Sequence, residues 1–288
     1  MRLIILLTLL LSTLTAFNIH LQNDEVVRGS TAFIELSHEK NIHYLDIKFG
    51  KKKFPIFAHP FKKGSHFALL PISYYESAGE KKIELEYLNA GVKKEQQITL
   101  KVLDGNYKKE QIKVSSKKVN PKSPQVKKRI AKEYKQAMKI YNSVAKVSYI
   151  SKDFILPLQS TITSPFGMAR VYNGSLKGYH SGTDFRAKTG TPIKAANDGK
   201  VVLVKKRFYS GGTVLIDHGE GIYTCYFHLS KFKVKEGAFV NRGQVIALSG
   251  ESGRVTGPHL HFSARVDGVQ VDPLQLISLL NNNLVKGK

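Results

Sequence analysis

The sequence contains no tryptophan and one cysteine, and it has few acidic residues for its many basic ones. One cysteine excludes a disulfide framework within the chain and any zinc site built from several cysteines. Without tryptophan, stacking on bases or sugars has to use the 13 tyrosines and 15 phenylalanines. The 45 Lys and Arg against 22 Asp and Glu give a formal charge of +23. This charge predicts attraction to a polyanion: nucleic acid, an anionic membrane face or an acidic wall polymer.

The N-terminal segment has the organisation of a secretory signal peptide. Met1-Arg2 is followed by an apolar run over residues 3–11, interrupted by Thr8, and then by small and polar residues up to Ala16. This pattern predicts a signal peptide over residues 1–16, hence a periplasmic protein. The alternative is an uncleaved anchor, although a spanning helix needs about 20 apolar residues. Export argues against nucleic acid as the partner and favours the cell wall, with membrane contact expected only if the segment is uncleaved.

Short apolar runs separated by turn residues predict a β-rich first domain over residues 17–103. Seven strands are expected, near residues 26–27, 31–36, 43–49, 54–57, 66–70, 82–88 and 97–102. Seven short strands indicate a small β-sandwich, and we consider an immunoglobulin-like topology for it. No wall-targeting motif is visible in this domain, which either orients the rest of the protein or covers its active groove.

Residues 104–152 are expected to be a basic linker that contains one helix. Ser123 is a good N-cap and Pro124 a good first helical residue, and both precede a helical apolar stripe. The stripe predicts a helix over about 124–147 and consists of Val126, Ile130, Tyr134, Ala137, Tyr141 and Ala145. Its lysine-rich face is interpreted as a solvated face, with polyanion binding as the alternative. Residues 153–277 then predict a second β-rich domain, and 278–288 a tail that is expected to be frayed from residue 281 onwards.

Histidines in the second β domain form two recognisable patterns. His180 and Asp184 make an H-x-x-x-D, and His259 and His261 make an H-x-H. Catalytic zinc takes three nitrogen or oxygen ligands and leaves a fourth position for water. His180, Asp184 and one histidine of the H-x-H would supply such a set, with Gly182 allowing the necessary bend. His259 and His261 point to the same side of a strand, so one can bind metal while the other faces the substrate.

A third histidine, His228, closes a strand-like segment. Alternation predicts that it shares a face with Thr224 and Tyr226, whereas Cys225 points away and is not expected to be a ligand. No H-E-x-x-H occurs, so the histidines have to supply the proton chemistry near pH 7. Arg170 is expected to be an ordinary surface arginine, with contact to a substrate carboxylate as the alternative.

The combined motifs resemble the lysostaphin/LytM-type zinc metallopeptidases over about residues 155–276. The resemblance rests on the H-x-x-x-D, on residues 190–193, 195–199 and 223–230, and on GRVTGPHLHF at 253–262. It implies that zinc binds to His180, Asp184 and His261, and that His228 and His259 assist catalysis; which of these two is the general base is left open. It also implies an antiparallel β domain with peptidoglycan stem peptides as the substrate.

The sequence therefore predicts a mostly β protein: a small N-terminal sandwich, a connecting helix and a C-terminal LytM-like zinc peptidase domain. The expected activity is a monomeric D,D-endopeptidase that cuts peptidoglycan cross-links, with or without D,D-carboxypeptidase activity, and influences cell shape. The alternative is a non-catalytic LytM-like module that binds the wall or regulates another hydrolase. Such modules lose metal ligands, whereas this chain keeps all of them.

Overall fold

A computed structural model of the chain describes residues 19–21, 24–37, 39–112, 121–172 and 174–285. The signal peptide predicted over residues 1–16 lies outside these ranges. Within them the protein is mostly β, as the sequence predicts. None of the helices in the described ranges has both the length and the apolar character needed to cross a membrane.

The N-terminal part consists of two sheets. Its described strands are β1 (Ile19–Leu21), β2 (Glu25–Val27), β3 (Thr31–Leu36), β4 (Ile42–Phe49), β5 (Lys52–Pro55), β6 (Phe57–Ala58), β7 (His66–Pro71), β8 (Gly79–Asn89) and β9 (Val92–Leu103). One sheet has the order β1-β3-β7-β6 and the other β2-β9-β8-β4-β5, with β2 parallel to β9. The predicted strand at 54–57 is divided between the sheets, because Phe54 packs between them whereas Phe57 faces the C-terminal part.

The central strands β3 and β7 of the four-stranded sheet are buried on both faces, which explains the consecutive apolar residues 32–34 and 67–70. Ile34 and Leu70 face the five-stranded sheet and form the core of a sandwich, as predicted. Phe33 and Phe67 point the other way, stack with ring centroids 5.5 Å apart, and join the core of the C-terminal part. The two halves of the protein therefore share one hydrophobic core. The immunoglobulin-like topology stays a prediction.

The connecting segment contains one strand, β10 (Lys109–Ile112), and one helix, α1 (Pro124–Tyr141). The helix begins at Pro124 as predicted, but the Ser123 hydroxyl bonds Gln125 Oε1 at 2.7 Å rather than a backbone N–H. It ends six residues earlier than the predicted 124–147. The reason is local: the Ser143 hydroxyl bonds the Ile140 carbonyl at 2.7 Å and so competes with a further helical turn.

The C-terminal part contains thirteen of the described strands and a second helix. They are β11 (Ile162–Ser164), β12 (Ala169–Tyr172), β13 (Ser175–Tyr179), β14 (Thr183–Arg186), β15 (Pro192–Lys194), β16 (Gly199–Arg207), β17 (Gly211–Asp217), β18 (Ile222–Leu229), β19 (Lys231–Phe232), β20 (Phe239–Val240), β21 (Val245–Leu248), β22 (His259–Val266), β23 (Val269–Val271) and α2 (Pro273–Leu280). The largest sheet is antiparallel, in the order β11-β14-β22-β18-β17-β16-β20, with β23 beside β22. The others are β15-β21-β19 and β10-β12-β13, in which the linker strand β10 is parallel to β12.

The two faces of the largest sheet have different neighbours. Helix α1 covers part of one face, where Ala137 and Tyr141 pack against Leu203, Leu215 and Cys225. The opposite face packs against α2 and the N-terminal sheet. Residues 278–285 of the tail predicted over 278–288 are helical instead, because α2 continues to Leu280 and a π-helical turn over Asn281–Val285 follows. Residues 286–288 lie outside the described ranges. The turn is retained because Leu284 and Val285 are buried in the shared core.

Candidate metal centre

Three predicted metal ligands meet at one end of the largest sheet. His180 directly follows β13, Asp184 lies on β14, and His261 is the cross-strand partner of Asp184 on β22. His180 Nε2 lies 2.9 Å from Asp184 Oδ1 and 3.0 Å from His261 Nδ1, and His261 Nδ1 lies 2.8 Å from the same carboxylate oxygen. Ligands of a tetrahedral zinc ion, with bonds of about 2.0–2.1 Å, lie roughly 3.3 Å apart. The three distances are thus within about half an ångström of that spacing.

The donor set of this group fits a cation. The Nδ1–H of His180 donates to the Pro165 carbonyl at 2.8 Å, which leaves its Nε2 with a lone pair directed at Asp184. Two lone pairs facing each other at 2.9 Å are stabilised by a shared positive charge. Nitrogen and carboxylate ligands of this kind suit Zn²⁺, and a carbonyl that fixes the histidine tautomer is the usual support for it.

Gly182 is needed here for space rather than for an unusual backbone angle. A Cβ at this position would lie 2.4 Å from the Phe262 carbonyl oxygen and 2.6 Å from His261 Nε2. Its φ is not in the left-handed region. Position 182, midway between His180 and Asp184, therefore has to be glycine, because β22 passes too close to leave space for a side chain.

Burial and hydrogen bonding shift the pKa values in the group. Burial raises the pKa of Asp184, but the neighbouring His180 and His261 side chains outweigh it and hold that pKa well below its usual range. Burial lowers the pKa of His261 to about 4. At neutral pH the carboxylate is therefore ionised and the His261 imidazole is neutral, which are the protonation states a metal requires.

His228 lies beside this group, but not on the face that alternation predicts. Its ring is 4.8 Å from that of His259 and 6.0 Å from that of His261, centroid to centroid. Phe227 pairs directly with His261, so alternation would have placed His228 on the opposite face with Tyr226. The φ of His228 is +61°, and this left-handed residue turns the ring back towards the metal group. Burial, followed by His261 and His259, lowers the pKa of His228 to about 3.

One loop orients both additional histidines. His228 Nδ1 lies 2.8 Å from the Ser252 carbonyl, and His259 Nδ1 lies 2.9 Å from the Gly257 carbonyl. Each carbonyl accepts the Nδ1–H and leaves Nε2 available as a base. His259 Nε2 lies 3.6 Å from Asp184 Oδ1, so this lone pair is directed at the metal group. The loop before β22 thus prepares two proton acceptors at one site.

Arg170, expected to be an ordinary surface residue, instead contacts a predicted ligand. Its Nη2 lies 3.2 Å from Asp184 Oδ2, the oxygen that does not face the histidines. Glu110, on the linker strand β10, lies 3.3 Å from Arg170 Nε. Glu110 also accepts a bond of 3.3 Å from Ser164, whose hydroxyl lies 3.0 Å from His180 Nδ1. Sequence analysis missed Glu110 and Ser164, because nothing in their local sequence marks contacts so far along the chain.

Comparison with known proteins agrees with this geometry. Residues 178–273 match the model of Peptidase family M23. The match contains all five histidine and aspartate positions described above, so the C-terminal domain of this chain belongs to peptidase family M23. It is the LytM-type class that the sequence motifs resemble.

Individual relatives match different fractions of this chain. The peptidoglycan DD-endopeptidase ShyA of Vibrio cholerae is 49% identical over 96 residues, which are 33% of this chain and 22% of that protein. The DD-carboxypeptidase/endopeptidase Mpg of Neisseria meningitidis is 41% identical over 123 residues, 42% of this chain and 28% of Mpg. The chain thus spans about a quarter of these relatives. A crystal structure from Pseudomonas aeruginosa assigned to peptidase M23 is 28% identical, with a TM-score of 0.66, and covers 87% of this chain and 94% of its own.

Proposed function

We propose that this protein is a zinc-dependent peptidoglycan hydrolase that cleaves the stem-peptide cross-links of the wall. The observation that supports it best is the His180, Asp184 and His261 group within a domain of peptidase family M23. In this proposal these three residues bind Zn²⁺. His228 and His259 are the acid–base groups.

The chemistry is divided between the metal and the histidines. When bound, zinc supplies Lewis acidity: it polarises a carbonyl oxygen and lowers the pKa of a water to about 7. The Nδ1 contacts of His228 and His259 direct their Nε2 lone pairs into the site, so either one takes the proton of the attacking water and returns it to the leaving amine. The other donates a hydrogen bond to the oxygen that gains negative charge once its Nε2 carries a proton. Their adjacent rings allow both assignments.

The scissile bond is proposed from the relatives. ShyA is named a peptidoglycan DD-endopeptidase, and Mpg a DD-carboxypeptidase/endopeptidase. For this chain we propose D,D-endopeptidase activity on the cross-link between D-alanine and a diamino acid, with D,D-carboxypeptidase activity as a second activity of the same site. A periplasmic monomer that remodels the wall and influences cell shape is consistent with this assignment.

The proposed domain boundaries are residues 17–103 for the N-terminal β domain and 153–277 for the peptidase domain.

Zinc content and digestion of purified sacculi test the enzyme against the alternative of a non-catalytic regulator. The purified protein is expected to bind one zinc ion per chain. In its zinc-loaded form it should release soluble fragments from sacculi without any other protein. His261→Ala should lose both properties, while His43→Ala, a change at an exposed histidine of the first domain, should keep them. Zinc binding without release of fragments would favour the regulator. Release by intact, zinc-free His261→Ala would contradict the proposed ligand set.

A further inference from the structure

A groove of about 870 Å³ lies between α1 and the largest sheet, next to the candidate metal centre. On the side of the metal centre it is lined by Ser181, which follows His180, and by Phe227. The Phe227 ring stacks on His261 with centroids 5.3 Å apart. The opposite wall is α1, where Tyr134 lines the groove although 65% of it is exposed. An extended peptide in this groove would run beside the metal ligands.

Two arginines line this groove at different turns of the helix. Arg207 Nη2 donates to the Glu133 carbonyl at 2.8 Å, and the Arg265 guanidinium lies 4.3 Å from the centre of the Tyr141 ring. Glu133 and Tyr141 are eight residues apart, which is about 12 Å along a helix. The two guanidinium groups are therefore too far apart to share one carboxylate.

Both guanidinium groups keep hydrogen-bond donors for a ligand. Arg265 uses one N–H for the Gly268 carbonyl at 2.6 Å and one for Gln270 Oε1 at 3.0 Å, which leaves three of its five. Within the described ranges, neither Arg265 nor Arg207 forms an ion pair with a carboxylate.

The rest of the groove does not neutralise this charge. The acidic residue of the lining is Glu133, whose carboxylate already accepts bonds from Arg129 at 2.8 Å and the Phe208 N–H at 2.9 Å. Lys122 and Lys127 also line the groove. The groove therefore combines an apolar floor with a positive charge that is not balanced internally.

We propose that this groove binds the carboxylates of the peptide substrate, with Arg265 and Arg207 as specificity-determining residues. The ligand class is an acidic peptide whose free carboxylates lie about four extended residues apart, because a strand rises about 3.3 Å per residue. The apolar floor accommodates the methylene groups of such a peptide. The inference rests on the proposed function and adds to it a preference for free over amidated carboxyl groups.

The test compares two forms of one substrate. Cross-linked muropeptide dimers are prepared with free carboxylates, and a portion is amidated with carbodiimide and ammonia. For the zinc-loaded wild-type protein, kcat/KM for the free dimers should exceed that for the amidated dimers at least about tenfold, since hydrogen bonds to a charged group are worth that much or more. Arg265→Gln and Arg207→Gln should each reduce this preference, chiefly through KM, whereas Arg265→Lys should retain part of it.

A matched control removes one positive charge elsewhere. Lys94→Gln changes an exposed residue of the first domain and should keep the wild-type preference. Cleavage of amidated dimers by each arginine variant shows that it is folded. Equal rates of the wild-type protein on both dimers would overturn the carboxylate site while leaving the proposed hydrolase intact. Equal loss of preference in Lys94→Gln would also overturn it, because net charge would explain the effect. If the zinc-loaded wild-type protein cleaved neither the free nor the amidated dimers, both the proposed function and the carboxylate site would be contradicted.

Discussion

Arg170 Nη2 contacts the oxygen of Asp184 that does not face the histidines, at 3.2 Å. Oδ1 of the same carboxylate faces His180 and His261. The guanidinium thus orients the carboxylate so that one oxygen points into the proposed metal site. Because Arg170 has Glu110 on its other side, a residue of the linker supports a residue of the peptidase domain.

Replacing Arg170 by Gln should lower zinc affinity about 10- to 100-fold, since loss of groups that orient metal ligands has this effect. Competition with a fluorescent zinc chelator measures it without any substrate. Arg186→Gln, which removes an exposed charge from the same strand as Asp184, should leave the affinity unchanged. Equal affinities for wild type and Arg170→Gln would show that the contact does not position the ligand.

Replacing Glu110 by Gln should lower zinc affinity less than replacing Arg170. The amide keeps an oxygen for the Ser164 hydroxyl but loses the charge opposite Arg170, so the arginine is held less firmly. The same chelator competition is the measurement, with Glu95→Gln in the first domain as the control. A loss as large in Glu95→Gln would attribute the effect to net charge.

Gly182→Ala should reduce stability and zinc affinity together. The added methyl would lie 2.4 Å from the Phe262 carbonyl oxygen and 2.6 Å from His261 Nε2, so β22 or the His261 ring has to move. Strain of this kind typically costs about 1–3 kcal/mol. Gly257→Ala is the matched control, because a Cβ there meets nothing within 4 Å. Urea denaturation and zinc titration measure the two effects, and a wild-type profile for Gly182→Ala would contradict the close approach.

His218 should make the folded state less stable in acid. Burial lowers its pKa from 6.5 to about 4, so between these values the unfolded chain binds a proton that the folded chain does not. This contribution is fully present above about pH 6.5, falls as the pH decreases towards 4 and is constant below it. The total is about 3 kcal/mol by linkage.

Glu220 acts in the opposite direction in an overlapping range, because burial raises its pKa to about 7. The measurement is therefore a difference between two proteins. Urea denaturation of wild type and His218→Gln at pH 7 and pH 4.5 isolates the histidine, and Gln preserves hydrogen-bonding groups for Thr224 and Asp198. An identical pH dependence in the two proteins would contradict a buried, neutral His218.

Sequence motifs predicted the centre of the site better than its surroundings. His180 and Asp184 lie in one short motif, and the pairing of β14 with β22 brings His261 to them. The face of His228 was predicted wrongly, because strict alternation cannot anticipate a φ of +61°. Glu110 and Arg170 could not be paired from the sequence, since their contact depends on the parallel pairing of β10 with β12.

The same distinction holds for the fold. Alternation and turns predicted the strands of the sandwich and the β-rich character of the C-terminal part. The buried turn Asn281–Val285 was mistaken for a tail, because its burial depends on the core that the two halves share. A strand divided between two sheets, as at residues 54–57, is likewise decided by packing rather than by local pattern.

Chromatography of muropeptides after digestion of sacculi tests the central claim most directly. The zinc-loaded wild-type protein should remove cross-linked dimers and increase tetrapeptide monomers, and His261→Ala should leave the profile of undigested sacculi. Unchanged dimers with shortened monomers would leave a carboxypeptidase and contradict the assigned endopeptidase activity. A profile that the zinc-loaded wild-type protein does not change at all would contradict the account of this chain as a peptidoglycan hydrolase.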